Sequence, residues 1–76
     1  MTGALPSVVV SARGARRWKR GHPWIYRSDV EAARLPPGIV RVTDARGRFL
    51  GQALWSPRSE IRLRLLSRDD GPIDAA

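Results

Sequence analysis

The sequence has no cysteine, and its only histidine is His22. The lack of thiols excludes disulfide bonds, thiolate metal sites and cysteine nucleophiles. A single imidazole cannot assemble a histidine-rich zinc site, and no acidic residue forms a convincing acid–base pair with it. We therefore expect this chain to contain no catalytic site, no metal and no cofactor of its own.

Long hydrophobic runs are absent as well. No segment approaches the roughly 20 apolar residues that a membrane-spanning helix needs, and residues 1–10 lack the pattern of a signal peptide. We expect a soluble, cytoplasmic protein without a membrane partner. The chain has room for one domain, which at this size buries only about 60–65% of the surface of its unfolded form. Its largest side chains, including Trp18, Trp24 and Trp55, are therefore expected in the core.

Positive charge is what the sequence has in excess. The formal net charge is +7, and thirteen of the fourteen basic residues are arginine. This balance favours nucleic acid or an anionic membrane surface over a small acidic substrate as the partner. The planar guanidinium group suits phosphate oxygens and stacking on bases. A GC-rich genome or a thermophilic source would also enrich arginine.

The densest positive charge lies in a predicted helix that is capped by Ser11 and ends near Arg20. Four arginines recur at helical spacing and share one face: Arg13, Arg16, Arg17 and Arg20. Three residues fall on the opposite face, where they can pack inward: Ala15, Trp18 and His22. Because like charges on one face repel, the stripe suits a polyanion such as nucleic-acid phosphate better than it suits the helix itself. The alternative is an ordinary solvated basic face.

Three further elements are predicted in the first half of the chain. They are a buried strand over residues 7–11, a short strand or packed bend over residues 24–26, and one helical turn over residues 29–34. Gly21 and Pro23 end the basic helix, because glycine accommodates the helix terminus and proline cannot continue the helix.

The second half of the chain alternates strands and turns. Strands are predicted over residues 39–43, 49–55 and 60–66, with turns over residues 44–47 and 56–59. Asp44 is expected to open the first turn by accepting a backbone hydrogen bond. The whole pattern predicts a mainly β fold with one or two short helices, a small pseudo-barrel of mixed sheet. The pattern ends after residue 67, so we expect a domain over residues 1–67 and a linker over residues 68–76.

The segment Lys19-Arg20-Gly21-His22-Pro23-Trp24-Ile25-Tyr26 resembles the start of a known domain. The domain that it resembles is the PUA-type domain at the N-terminus of class I, S-adenosylmethionine-dependent rRNA methyltransferases. These are the large-subunit 5-methylcytosine enzymes and their relatives. Two later motifs follow at the expected distances: Val42-Thr43-Asp44 with Gly47 and Phe49-Leu50-Gly51, and Ser56-Pro57-Arg58-Ser59-Glu60-Ile61-Arg62-Leu63-Arg64. The resemblance covers residues 13–66, and the order and spacing of the motifs are more specific than any one of them.

The resemblance implies a PUA-like pseudo-barrel that holds RNA, with a helix packed at its side. It also implies a parent enzyme whose C-terminal methyltransferase domain binds S-adenosylmethionine. This chain lacks the glycine-rich turn for that cofactor and the cysteine that attacks C6 of cytosine. We therefore expect this chain to be no enzyme by itself, and residues 68–76 to lead toward the catalytic domain.

The candidate RNA-binding residues combine the basic helix, the segment after it and the last strand. They are Arg13, Arg16, Arg17, Lys19, Arg20, His22, Tyr26, Arg62 and Arg64. Arg62 and Arg64 alternate with Ile61, Leu63 and Leu65 and are expected to point outward, where they could equally form a solvated strand face. His22 could instead cap carbonyl groups or pack on a ring, and Tyr26 could stack on a base.

The sequence therefore favours an RNA-binding module that recruits and orients rRNA for a methyltransferase. The alternative is a structural domain that packs on its own catalytic domain or on a ribosomal protein. A third possibility is an independent ribosome-associated protein, against which the linker-like residues 68–76 argue. The sequence predicts no oligomeric state.

Overall fold

A computed structural model describes residues 5–68 as five strands, one α-helix and one 3₁₀ turn. In chain order they are β1 (Ser7–Val9), α1 (Ala12–Lys19), β2 (Trp24–Tyr26), the 3₁₀ turn (Arg27–Asp29), β3 (Gly38–Thr43), β4 (Phe49–Trp55) and β5 (Ile61–Ser67). The predicted mainly β fold with short helices is confirmed. Most of the predicted linker, residues 69–76, lies outside the described residues.

The strands form one mixed sheet in the order β1-β3-β4-β5-β2, curved into a half-barrel. β1 runs parallel to β3, while the pairs β3–β4, β4–β5 and β5–β2 are antiparallel. β1 can run parallel to β3 because α1 and β2 lie between them in the chain, and a parallel pair needs such a long connection. The two shortest strands, β1 and β2, therefore form the edges of the sheet.

The core lies on the concave face of the sheet beneath α1. Its buried members are Val8, Val10, Ala15, Trp18, Ile25, Val40, Val42, Ala53, Trp55 and Leu63. The strand residues among them alternate with outward-facing neighbours, as period-two side-chain geometry requires. Both buried indoles find hydrogen-bond acceptors: Nε1 of Trp18 donates to the Leu50 carbonyl at 2.9 Å, and Nε1 of Trp55 donates to the Leu35 carbonyl at 3.0 Å.

The start of α1 is fixed by a buried carboxylate from a distant part of the chain. Ser11 Oγ accepts a hydrogen bond from the Gly14 amide at 3.0 Å, which confirms the predicted cap. The same hydroxyl donates to Asp29 Oδ1 at 3.0 Å, and Arg13 Nε donates to that oxygen at 3.0 Å. Asp29 therefore ties the helix N-terminus to the segment that follows β2.

Two predictions about packing are wrong. Trp24 is 51% exposed rather than buried, because the three-residue strand β2 has one inward position and Ile25 occupies it. His22 is exposed instead of packing inward with Ala15 and Trp18. α1 ends at Lys19, and Gly21 turns the chain with a φ of 98°, so His22 leaves the helical face.

The predicted helical turn over residues 29–34 is also wrong. The 3₁₀ turn ends at Asp29, and no helix is present over residues 30–36. Val30 forms an antiparallel bridge with Val10, and the Glu31 amide donates to the Val9 carbonyl at 2.9 Å. This pairing next to β1 holds Val30 in an extended conformation, and it is a contact that local sequence cannot reveal.

Replacing Asp29 with alanine should destabilise the fold. The change removes the acceptor shared by Ser11 and Arg13, so we expect the free energy of unfolding to fall by about 1–3 kcal/mol. Urea denaturation of the two proteins measures this difference. Glu60→Ala is the matched control, because the Arg27–Glu60 ion pair is exposed on both sides and should contribute about 0.5 kcal/mol or less. Equal destabilisation by both substitutions would contradict the assigned role of Asp29.

Candidate nucleic-acid interface

The basic helix presents its cations outward, as its periodicity predicts. Gly14, Ala15 and Trp18 are buried, and the remaining positions of α1 are exposed. Within residues 5–68, no ion pair engages Arg16, Arg17 or Lys19. Arg20 follows the last helical residue and is exposed too. Arg13 differs from these, because its side chain binds Asp29 while remaining 59% exposed.

A basic cleft separates α1 from the β3–β4 turn. Its volume is about 320 Å³, and its lining residues are Ala12, Ala15, Arg16, Lys19, Asp44, Ala45, Arg46 and Arg48. Four of these side chains are cationic, two from the helix and two from the turn. We define this surface as the basic cleft.

Arg46 and Arg48 were not among the residues predicted from the sequence. Their local signal is the presence of two arginines in the predicted turn of residues 44–47 or immediately after it. That signal cannot show which element the turn packs beside. In the structure the turn lies beside α1, on the side of the helix that carries Arg16 and Lys19.

Asp44 organises the turn that forms one wall of the basic cleft. Its Oδ1 accepts from the Arg46 and Arg48 amides at 2.9 and 3.0 Å, which confirms the predicted role in opening the turn. Its Oδ2 accepts from Arg48 Nε at 2.8 Å, and Gly47 completes the turn with a φ of 80°. The Arg48 amide, the Arg48 guanidinium and the Arg46 amide hold the pKa of Asp44 below its ordinary value.

A second depression lies beyond α1, next to the edge strand β2. Its volume is about 180 Å³, and it is lined by Arg17, His22, Pro23, Trp24 and Tyr26. We define it as the aromatic recess. Trp24 and Tyr26 are 51% and 48% exposed, since both point away from the core on either side of Ile25. Three predicted residues, Arg17, His22 and Tyr26, therefore lie together.

The two predicted arginines of β5 have different surroundings. The Arg62 guanidinium donates to the carbonyl groups of Pro57 and Ser59, so it holds the β4–β5 turn. Arg64 is exposed and pairs in register with Trp24 on one side and Leu54 on the other. The structure thus places Arg64 next to the aromatic recess and Arg62 at the turn.

No group of three or more histidine, aspartate or glutamate side chains within residues 5–68 could hold a metal ion. Among the helices described there, none is long and apolar enough to cross a membrane.

The structure is a small, mainly β domain: a half-barrel of mixed sheet with a basic helix packed at its side. Comparison with known proteins identifies its family. A family model described as the PUA-like domain matches residues 8–68. The chain belongs to this PUA-like domain family. The resemblance found in the sequence is thereby confirmed.

Curated relatives of the chain carry rRNA methyltransferase names. A protein from Pseudoalteromonas translucida named ribosomal RNA large subunit methyltransferase I is 34% identical over 67 residues, covering 84% of this chain and 17% of the relative. A Salmonella arizonae protein of the same name is 32% identical over 75 residues, covering 93% and 19%. The chain therefore spans less than a fifth of the length of these relatives.

Two solved structures share the fold. One is a proposed SAM-dependent methyltransferase from Streptococcus mutans, with a TM-score of 0.77 and 20% identity over 92% of this chain and 19% of that one. The other is a proposed methyltransferase complexed with SAH, with a TM-score of 0.76, 20% identity, and coverage of 91% and 18%. At this identity the likeness establishes the fold.

The pKa of Asp44 leads to a prediction about pH. A carboxyl group whose pKa is lowered in the folded state stabilises the fold above its ordinary pKa of 3.8, and that stabilisation is lost as the pH falls below it. We expect Asp44→Asn to lower stability at neutral pH and to weaken the loss of stability as the pH falls from about 4 to about 2. Urea midpoints at neutral pH and across this acid range measure the two effects.

Glu31→Gln is the control for this experiment, because Glu31 is exposed and lies outside the β3–β4 turn. It should keep the pH profile of the original protein. A profile for Asp44→Asn that parallels the original at every pH would contradict the role given to Asp44.

Proposed function

We propose that this chain is an RNA-binding module that recruits and orients rRNA for an S-adenosylmethionine-dependent methyltransferase. The observation that carries the proposal is the basic cleft, where α1 and the β3–β4 turn converge with four cationic side chains. The names of the curated relatives support rRNA as the substrate. Because these relatives are more than five times longer than the matched region, we assign the chemistry to another part of the protein.

The cleft acts by electrostatic capture and orientation. Arg16, Lys19 and Arg46 bind phosphate groups along the RNA backbone, and such contacts set the position of the RNA without reading its sequence. Arg48 contributes beside Asp44, whose negative charge it offsets. Because the fold holds the backbone of the turn and of the helix, no backbone segment has to be ordered when RNA binds.

The other predicted residues extend this surface. They are Arg13, Arg17, Arg20, His22, Tyr26, Arg62 and Arg64. Arg17 and Arg20 continue the positive surface around the helix, and Arg64 carries it to the outer face of the sheet. Arg13 and Arg62 also hold the start of the helix and the β4–β5 turn in place.

S-adenosylmethionine is expected to bind elsewhere in the parent enzyme. Within residues 5–68 the one α-helix N-terminus is capped by Ser11 and faces the negatively charged Asp29 carboxylate, which disfavours a second anionic group there. These residues do not fit the cofactor, and we assign no methyl-transfer step to them. An rRNA substrate is consistent with a cytoplasmic location.

A second candidate function is protein docking, which one observation favours. Large apolar side chains are exposed on the outer face of the sheet: Trp24, Tyr26, Ile39, Leu54 and Leu66. Strand register places Ile39 beside Leu54, and Arg64 lies between Leu54 and Trp24. An apolar surface of this kind is typical of a contact with a catalytic domain or a ribosomal protein.

Replacing Arg16 and Arg46 together with alanine should weaken RNA binding. Loss of two phosphate contacts should lower the slope of log K against log salt by about 1.4–1.8. Fluorescence anisotropy with a labelled rRNA fragment at several potassium chloride concentrations measures both affinity and slope. The double variant Arg34→Ala with Arg58→Ala is the matched control, because it removes the same charge from exposed positions outside the cleft.

The control variant should keep most of the RNA affinity of the original protein and nearly all of its slope of log K against log salt. An equal effect of both double variants would show that the cleft has no special role. If the chain fails to bind RNA at low salt, the proposal is contradicted and protein docking becomes the favoured function. Leu54→Ala should leave RNA affinity unchanged if the cleft is the binding site.

A further inference from the structure

We propose that the aromatic recess binds one unpaired nucleobase of RNA, stacked against Trp24 and Tyr26, while Arg17 and His22 hold the adjoining phosphate. The inference rests on the proposed RNA-binding function. It further specifies the kind of RNA that is bound, namely a segment that contains an unpaired base. A base within a continuous duplex stack cannot enter the recess, because its faces are already covered by its neighbours.

The fold does not require a tryptophan at the exposed position 24. Ile25 alone fills the inward position of β2 and is 2% exposed, whereas the other two members of this edge strand point outward. Trp18 and Trp55 are buried with their Nε1 groups bonded to backbone carbonyls. Trp24 is therefore the one tryptophan of the three that offers its ring to a ligand.

Both aromatic residues border one small recess, which suits a flat ligand. Trp24 and Tyr26 line the same depression of about 180 Å³, so one base inside it meets both side chains. Stacking of this kind tolerates any base, since each has an aromatic face.

Backbone hydrogen bonds hold the recess in shape before any ligand binds. The Leu65 amide donates to the Pro23 carbonyl at 2.8 Å, and the His22 amide donates to the Arg17 carbonyl at 3.1 Å. Beyond the strand, the Arg27 amide donates to the Glu60 carbonyl at 2.9 Å. A rigid platform reduces the entropy cost of binding.

The polar groups around the recess favour a nucleotide over an apolar protein segment. Arg17 contributes positive charge and His22 a polar ring to the lining, and Arg64 pairs in register with Trp24. The aliphatic side chains on the same outer face, such as Ile39 and Leu54, lie outside the recess lining. Arg16 and Arg17 are consecutive on α1, so one RNA strand that crosses the helix can reach both the basic cleft and the recess.

The test compares the affinity of the protein for two RNAs of the same length. A short oligouridylate is the single-stranded probe, and an RNA duplex is the control. We expect Trp24→Ala to weaken binding of the single strand by about 5- to 150-fold, the range expected for one lost base stack. Binding of the duplex and the salt slope should stay unchanged. Trp24→Phe should retain most of the affinity, and Leu54→Ala, an exposed apolar change on the same face, should retain all of it.

Tryptophan fluorescence provides a readout that needs no substitution. Saturation of the original protein with oligouridylate should quench the exposed Trp24, whereas the duplex should not. If Trp24→Ala fails to fold, judged by circular dichroism, the quenching and the Trp24→Phe affinity decide the matter.

Three results would overturn the recess as a base-binding site. They are unchanged single-strand affinity in Trp24→Ala, equal weakening for single strand and duplex, and no quenching at saturation. A normal salt slope together with any of them would leave the proposed RNA-binding function intact. Absence of binding to both probes at low salt would contradict both proposals.

Discussion

The packing of Trp18 against β4 is the contact on which the rest of the molecule depends. The indole is fully buried, and its Nε1 donates to the Leu50 carbonyl at 2.9 Å. A side chain on Gly51 would place its Cβ 3.1 Å from the Trp18 ring and 2.8 Å from the Ser67 carbonyl, so only glycine lets the helix approach this closely. This contact and the Asp29 network fix both the position of α1 and its rotation about its own axis.

That rotation decides which cations lie where. With Trp18 facing inward, Arg16 and Lys19 border the β3–β4 turn, and Arg17 borders β2. The helix thus separates the basic cleft from the aromatic recess, and its cations line both. The oriented binding of RNA that we propose depends on this one hydrophobic contact, because a helix free to rotate would present its charge without direction.

Local signals in the sequence predicted much of this structure. Alternation of apolar residues predicted β3 and β5, and the turn after β3 predicted β4 as the returning strand. Ser11 and Asp44 marked the helix cap and the turn. The errors arise from tertiary packing: Trp24 is exposed because Ile25 takes the single inward position of β2, and no helical turn forms after Asp29 because Val30 pairs with Val10. The position of Arg46 in the basic cleft also depends on tertiary structure, since no local pattern shows that the β3–β4 turn lies beside α1.

Mapping of amide chemical shifts on the ¹⁵N-labelled chain during titration with a single-stranded RNA tests the central claim most directly. The account predicts saturable shifts over α1, over the turn of residues 44–48 and over residues 21–26. Ile39 and Leu54 on the outer face of the sheet should remain unshifted. Shifts centred on Ile39 and Leu54, or no saturable shifts at low salt, would contradict it.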